Sequence, residues 1–366
     1  MAIAETPLES ERTIDEIPLG EVPHDLKPGE LPRKMRAWVI RREREGEPIQ
    51  AFQQEDIEVP EPGADEVMVL VMAAGVNFNN VWASLGKPVS VFDSHPDFDH
   101  HIGGSDASGI VWKVGSNVRR WKPGDEVVIH CNQSCGECPE CNGLDPLACE
   151  NQRIWGYETT WGSFAQFTKV QSQQLVPKPK HLSWEDAASY ALTYFTAYRM
   201  LIDQCELKPG DNVLVWGAAG GLGVFGIQLC KLVGANAVGV VSSDDKKQMV
   251  LDLGAVGAVN RKDYGFERRG DETEEEEKAR LKEAYRFRKD LRASSAARSR
   301  TSSSSTSARP PSRPRSSSAA GSARSSSSAR RQASTSTSTS VTCGCGRRAS
   351  SAATSPTPTR RRGPTS

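Results

Sequence analysis

Asp211-Asn212-Val213-Leu214-Val215-Trp216-Gly217-Ala218-Ala219-Gly220-Gly221-Leu222-Gly223 is the stretch from which the fold of this chain follows. Residues 213–216 are a β-branched, apolar run that reads as a buried parallel strand. Gly217, Gly220, Gly221 and Gly223 follow, and Val224-Phe225-Gly226-Ile227-Gln228-Leu229 then has helical apolar spacing. Strand, glycine turn and helix in this order suit a dinucleotide. Glycines let the backbone approach a pyrophosphate, and a helix N-terminus offers free N–H groups with partial positive charge. A glycine turn in some other α/β domain is the plainer alternative. Against it, a second strand over residues 237–241 ends in Ser242-Ser243, where the ribose edge of such a cofactor would lie.

Upstream the pattern changes. Residues 1–34 are rich in Glu and Pro, lack periodicity and read as a poorly ordered arm. Short apolar runs bounded by turn residues then recur at 37–40, 57–59, 66–71, 109–115 and 124–129, which implies a compact β-rich domain over 35–180. Ser183-Trp184-Glu185-Asp186 has the form of a capping box before a helix running to Ile202. Lys208-Pro209-Gly210 turns into the glycine-centred strand, so the nucleotide region spans 181–291. Residues 274–284 place acids before bases, as suits a helix dipole, and read as a solvated helix.

The formal net charge of zero conceals two regions. Residues 292–366 hold fourteen Arg, no Lys and no acid, leaving 1–291 with 32 basic and 46 acidic groups. The body is acidic and offers no basic patch for nucleic acid. No apolar run is long enough to span a membrane and no signal peptide is evident, so a cytoplasmic setting is expected.

Nine cysteines then favour metal over disulfides. Cys135-x2-Cys138-x2-Cys141-x7-Cys149, within a lobe at 131–150, can close a tetrahedral thiolate shell. Four protein ligands leave no open position, so zinc here would be structural. The alternative is four free thiols in a loop without metal. Cys131 falls outside the set.

These features together, over residues 35–290, resemble the medium-chain dehydrogenase/reductase superfamily. The resemblance implies an α/β chain with a GroES-like β-rich domain, an incomplete Rossmann-type parallel sheet and, here, a disordered tail. Zinc alcohol dehydrogenases of that superfamily supply Cys and His to a second, catalytic zinc. The corresponding stretches, Val76-Asn77-Phe78-Asn79-Asn80 and Gly103-Gly104-Ser105-Asp106, contain neither.

A narrower resemblance is to the crotonyl-CoA carboxylase/reductase family. It is carried by Gly75-Val76-Asn77-Phe78-Asn79-Asn80-Val81-Trp82, His130-Cys131-Asn132-Gln133, Gln152-Arg153-Ile154-Trp155-Gly156-Tyr157-Glu158-Thr159, Ser163-Phe164-Ala165-Gln166-Phe167 and Gln173-Gln174-Leu175-Val176-Pro177-Lys178-Pro179. It implies that NADPH delivers hydride to the β-carbon of an unsaturated acyl-CoA and that the enolate attacks CO2. Asn79 would donate an N–H to a CO2 oxygen, Tyr157 would help through its backbone, and Glu158 would hold a water against the CO2. For the cofactor, Ser242 and Ser243 with the nearby cations Lys246 and Arg261 favour a 2′-phosphate, while Asp244 argues the other way. The complete enzyme would be a homo-oligomer.

The tail departs from the family. Thr301-Ser302-Ser303-Ser304-Ser305-Thr306-Ser307 can be encoded ACA TCG TCT TCG AGC ACG TCG. Displaced by one base after a G, this reads Asp-Ile-Val-Phe-Glu-His-Val, which resembles a strand of the same family. Residues 352–360 in that frame permit Ser-His-Phe-Ala-Asn-Ala-Tyr-Glu, another family string. The expectation is a reading frame that slips near Leu291–Arg292. Two rival readings are a plain enoyl-CoA or quinone reductase, and a non-catalytic protein whose Arg/Ser tail binds RNA.

Overall fold

The computed structural model describes residues 20, 22–23, 26–94, 96–266, 273–301 and 341–343. The N-terminal arm up to residue 19 lies outside them, as do the tail string at 352–360 and all but the first residue of that at 301–307. The chain divides into two units, Met1–Thr196 and Ala197–Ser366.

The first unit holds ten strands: β1 (Lys34–Arg41), β2 (Gln53–Glu58), β3 (Glu66–Ala74), β4 (His100–Ile102), β5 (Ala107–Val114), β6 (Glu126–Ile129), β7 (Asn132–Gln133), β8 (Arg153–Ile154), β9 (Phe167–Gln171) and β10 (Leu175–Pro177). Four α-helices accompany them, α1 (Pro48–Ala51), α2 (Phe78–Ser84), α3 (Val91–Ser94) and α4 (Trp184–Ala188), and α5 (Ala191–Tyr198) begins in this unit and ends two residues past Thr196. The strands form sheets in the orders β2-β1-β4, β10-β6-β5-β3-β9 and β7-β8, every pairing antiparallel.

β3 explains how the sheets join. Both its faces are buried, and its side chains alternate between two clusters. Met68 and Leu70 pack with Met35, Val39, Ile102, Trp112 and Phe167. Val67, Val69 and Val71 pack with Val111, Val127, Ile129, Trp155 and Leu175. A period of two on one strand thus feeds two cores.

The segment after Ser183 differs from the single helix its sequence suggests. Ser183 Oγ does accept the Asp186 N–H, at 3.0 Å, but α4 stops at Ala188 and α5 starts anew at Ala191. The reason is tertiary: the Leu192 N–H, in the first turn of α5, goes to a side chain of a distant strand end, Asp106 Oδ1 at 2.7 Å.

In the second unit β11 (Asn212–Trp216), β12 (Asn236–Val241) and β13 (Gly257–Asn260) run parallel, connected by α6 (Gly221–Val233) and α7 (Asp245–Leu253). α6 ends on Gly234 and α7 on Gly254, both left-handed. α8 (Glu274–Thr301) follows, and β14 (Val341–Cys343) pairs antiparallel with β11, giving the order β13-β12-β11-β14.

α8 is not purely solvated. Phe287 is buried against Val240 and Val259 and meets Tyr264, Trp216 and Phe266 with ring centroids 4.7–5.7 Å apart. The helix also passes the composition change at 292, because Ala and Arg favour helix and no proline intervenes before Pro310.

Candidate functional site

The first part of the site is built where the link from β4 to β5 meets the start of α2. Three asparagines of one turn engage three successive residues of that link. Asn80 Oδ1 accepts the Gly104 N–H at 2.9 Å, Asn79 Nδ2 donates to Ser105 Oγ at 2.8 Å, and Asn77 Nδ2 donates to Asp106 Oδ2 at 2.7 Å. Asn77 is the residue preceding α2, yet its side chain caps nothing there and its Nδ2 instead donates to Asp106. Its carbonyl instead holds both the backbone N–H and the side-chain amide of Asn80, each at 3.1 Å.

Glycine permits the approach. A Cβ on Gly75 would stand 2.6 Å from the Ala188 carbonyl oxygen and 2.9 Å from the Asp106 Cβ. On Gly156 (φ +71°) it would fall inside the carbonyl of Gly104, and on Gly104 (φ +96°) it would strike the Ser163 hydroxyl. Within this arrangement Asn79 Oδ1 and Ser163 Oγ are buried without a partner among the described residues.

Tyr157 and Glu158 stand on the loop that reaches this junction from β8. Both backbone N–H groups point to the Ile154 carbonyl, at 3.2 and 2.7 Å, and Glu158 Oε2 accepts the Ile154 N–H at 2.8 Å. Tyr157 donates its hydroxyl to the Lys87 carbonyl at 2.5 Å, and its ring packs with Ala83 of α2 and with Ile40 and Phe92. The structure therefore brings the Asn79 helix and the Tyr157 ring into one cluster. Burial, then the Glu158 charge, pushes the Tyr157 phenol up to about 12. His130, stacked on Phe195 at 5.1 Å, has its pKa lowered by burial and is a neutral imidazole near pH 7.

Asp106 is the site's electrostatic anomaly. It is 1% exposed, and its two acceptor contacts are the neutral Asn77 amide and Leu192 N–H. Burial raises its pKa from 3.8 to about 7 against the lowering effect of those two bonds.

The four cysteines of the lobe come together. Their sulfurs all lie within 4.8 Å of one another, with Cys135–Cys141 at 3.8 Å, Cys138–Cys141 at 3.5 Å and Cys135–Cys149 at 3.6 Å. A tetrahedral zinc with sulfurs at about 2.3 Å requires S···S edges of about 3.8 Å, so the donor set fits. Cys138 N–H donates to Cys135 Sγ at 3.4 Å. Despite the desolvation that opposes it, hydrogen bonds from Ser134, the Gly136 backbone and the neighbouring thiols hold Cys141 down to about 6. Among the described residues this is the one such cluster, and the stretches at 76–80 and 103–106, which form the asparagine junction, contain neither Cys nor His.

The expected cofactor residues gather at the carboxyl ends of β11, β12 and β13. Gly217 (φ +61°) leaves β11, Gly220 is the N-cap of α6, and Gly221 opens the helix. Gly223 is buried where a Cβ would sit 2.6 Å from both the Ala218 Cα and the Gly217 oxygen. Ser242 and Ser243 leave β12, exposed Lys246 lies in the first turn of α7, and exposed Arg261 follows β13. Asp244 is held by Lys247 at 2.7 Å and by the Asn260 amide at 3.4 Å, so its carboxylate is already partnered. Lys247, Asn260, Ser105, Asp106 and Asn80 are site neighbours that the sequence did not single out. The Asn-rich and Ser-Asp strings were visible, but not their pairing.

A GroES-like domain with a four-cysteine lobe, joined to a glycine-loop parallel sheet, defines a medium-chain dehydrogenase/reductase of the zinc-type alcohol dehydrogenase-like superfamily. The alcohol dehydrogenase GroES-like domain matches residues 63–180. A crotonyl-CoA carboxylase/reductase of Cereibacter sphaeroides is 61% identical over 248 residues, covering 67% of this chain and 57% of that protein. A solved crotonyl-CoA carboxylase/reductase superposes with a TM-score of 0.67 at 56% identity, over 74% of this chain and 63% of the other. The crotonyl-CoA carboxylase/reductase AntE, solved in complex with NADP, gives 0.69 at 44% identity, over 75% of this chain and 69% of the other. The chain belongs to the crotonyl-CoA carboxylase/reductase family. It spans little more than half the length of the Cereibacter relative. Among the described residues no helix is long and apolar enough to cross a membrane.

The purified chain should carry one zinc, measurable by metal analysis. Cys138→Ser should lose it and unfold the lobe, since structural zinc in finger peptides binds with an apparent free energy of about 10–16 kcal/mol. Asp106 generates a second expectation, because when folded it keeps a proton that the unfolded chain releases above about pH 4. Unfolding free energy should therefore fall as pH rises toward about 7 and level off above it. Between pH 5 and pH 8 the loss relative to Asp106→Asn should be about 2–3 kcal/mol by urea unfolding.

Proposed function

We propose that residues 35–291 are the first part of an NADPH-dependent reductive carboxylase acting on an unsaturated acyl-CoA and CO2, and that the reading frame slips near Leu291–Arg292. The observation that carries the first statement is Asn79: a half-buried side chain on a clamped helix start, whose Nδ2 is bonded and whose Oδ1 is buried without a partner among the described residues. Ser105 can donate as readily as accept, so the Asn79 amide turned over keeps that contact and frees its N–H groups.

NADPH, when bound, supplies the hydride for the β-carbon. The chain's own residues do the rest. The Gly217–Gly223 turn and the start of α6 offer N–H groups to a pyrophosphate. Ser242, Ser243, Lys246 and Arg261 suit a 2′-phosphate, and Asp244, tied to Lys247, does not oppose it. Asn79 donates to an oxygen of CO2 as negative charge develops there, and Glu158, with one oxygen fixed on Ile154, holds a water beside it. Tyr157 helps through its backbone, while its ring and hydroxyl brace the loop. CO2 is neutral and weakly held, so donors already in place matter more than binding energy. The four cysteines, Cys135, Cys138, Cys141 and Cys149, would hold a structural zinc, which would fix the lobe.

Support for the frame slip comes from the sheet. In a doubly wound fold the strand beside the first is the fourth, parallel to it, and the dinucleotide lies at that switch. Here the neighbour of β11 is the three-residue antiparallel β14. Sequencing the coding DNA around codon 291 tests it directly.

In a frame-corrected protein, Asn79→Leu and Glu158→Ala should shift product from the carboxylated to the simply reduced acyl-CoA, followed by labelled bicarbonate incorporation. The loss at Asn79 should be about 2.7–4 kcal/mol in the carboxylation step. Reduced hydride transfer at an unchanged product ratio would refute the assignment. The 366-residue chain itself should show no appreciable oxidation of NADPH with crotonyl-CoA. A rate comparable with the frame-corrected form would remove the proposal of a slip.

A further inference from the structure

Of the three contacts between the start of α2 and the β4–β5 link, the one to Asp106 differs in kind. Asn80 and Asn79 make neutral contacts to Gly104 and Ser105, whereas Asn77 donates to a carboxylate that is 1% exposed. That carboxylate also takes the Leu192 N–H, 86 residues away in sequence. Its backbone carbonyl accepts the Gly75 N–H at 3.0 Å, so the loop before Asn77 is fixed at its other end too. A buried carboxylate with no cationic partner is costly, and for packing alone a neutral side chain would serve better. What Asp106 joins is the start of the helix that carries Asn79 and the start of α5.

We propose that Asp106 is the positioning residue of Asn79: by holding the Asn77 amide and the first turn of α5 on one carboxyl group, it sets the place from which Asn79 is presented. The importance of that place rests on the reading of Asn79 as the donor to CO2, but the positioning itself does not.

The chemistry makes the link sensitive to protonation. As a carboxylate Asp106 accepts from both neighbours. As an acid it must donate from one oxygen, and neither the Leu192 N–H nor the Asn77 NH2 can accept. Protonation therefore breaks one contact or turns the Asn77 amide over. Among the described residues, the other titratable groups that feel its charge are the Cys131 thiol, between β6 and β7, and the Tyr190 phenol, ahead of α5. Burial raises both, Cys131 to about 12 with the Asp106 charge adding to it, and Tyr190 with the charges of Tyr194 and then Asp106 adding to it. Both stay neutral at pH 5–9, and His130, stacked on Phe195 of α5, is held below its ordinary 6.5 by burial, so the step near pH 7 belongs to Asp106, raised to about 7.

The test follows side-chain amide resonances of the 15N-asparagine-labelled full chain from pH 5 to pH 9, with Asn77 and Asn79 assigned by single Asp substitutions. The expected result is that both amides shift with one common midpoint, that Asp106→Asn abolishes both titrations and displaces Asn79, and that Asp106→Asn combined with Asn77→Asp returns Asn79 to its native position. The double variant restores the bond with donor and acceptor exchanged, which a mere packing role would not require. Asn77 titrating while Asn79 stays fixed would overturn the proposal, as would a double variant that leaves Asn79 displaced. If Asp106→Asn does not fold, the native titration decides alone. No step measures catalysis, so failure here is distinct from failure of the reductive carboxylase reading.

Discussion

Three pieces of backbone meet at Gly103–Gly104 more closely than any side chain allows, and the first unit is arranged to make that meeting possible. A Cβ on Gly162 would run into the Ile102 and Gly103 carbonyls, and one on Gly156 into the Gly104 carbonyl. With those Cβ atoms absent, the Ser163 and Phe164 N–H groups reach the Gly104 and Gly103 oxygens, each at 3.0 Å. The loop bearing Tyr157 and Glu158 is thereby sewn to the link that carries Ser105 and Asp106. On its other side the same link takes Asn77, Asn79 and Asn80. A dense set of short contacts fixes groups that no single element could hold.

The four-cysteine lobe has a part in this that its distance in sequence hides. It fills the connection from β7 to β8, and those strands pair Asn132 with Ile154. The Ile154 carbonyl and N–H are the groups that hold Tyr157 and Glu158. Gln171 and Gln173 tie Ser134 to the β9 end, at 2.9–3.1 Å. The thiolate cluster is thus tied to the loop bearing Tyr157 and Glu158 through two residues of strand.

The second unit has the opposite character. Its first three strands and two connecting helices follow one local rule, right down to the left-handed glycines that end α6 and α7. What flanks β11 does not. A strand edge accepts any extended segment, and β14 occupies it in the antiparallel sense, where the second half of a doubly wound sheet would continue in parallel.

Much of this was legible in order along the chain. The strand–glycine–helix stretch at 211–231, the four cysteines and the β-rich first domain are local patterns, set by side-chain period, ligand spacing and backbone freedom. So was the lack of Cys and His at 76–80 and 103–106. The capping residue Ser183 was readable, but not the break before Ala191, because the donor there is claimed by Asp106. Nor could the sequence say that Asp106 is buried with no cation beside it among the described residues, that the Asn77 side chain reaches it, or that Phe287 of a charged helix lies in a core. Local propensity and spacing act over a few residues and determined the elements. Burial and hydrogen-bond pairing between residues 24–130 positions apart exist only once the chain is packed, and those alone decided where the site's polar groups stand.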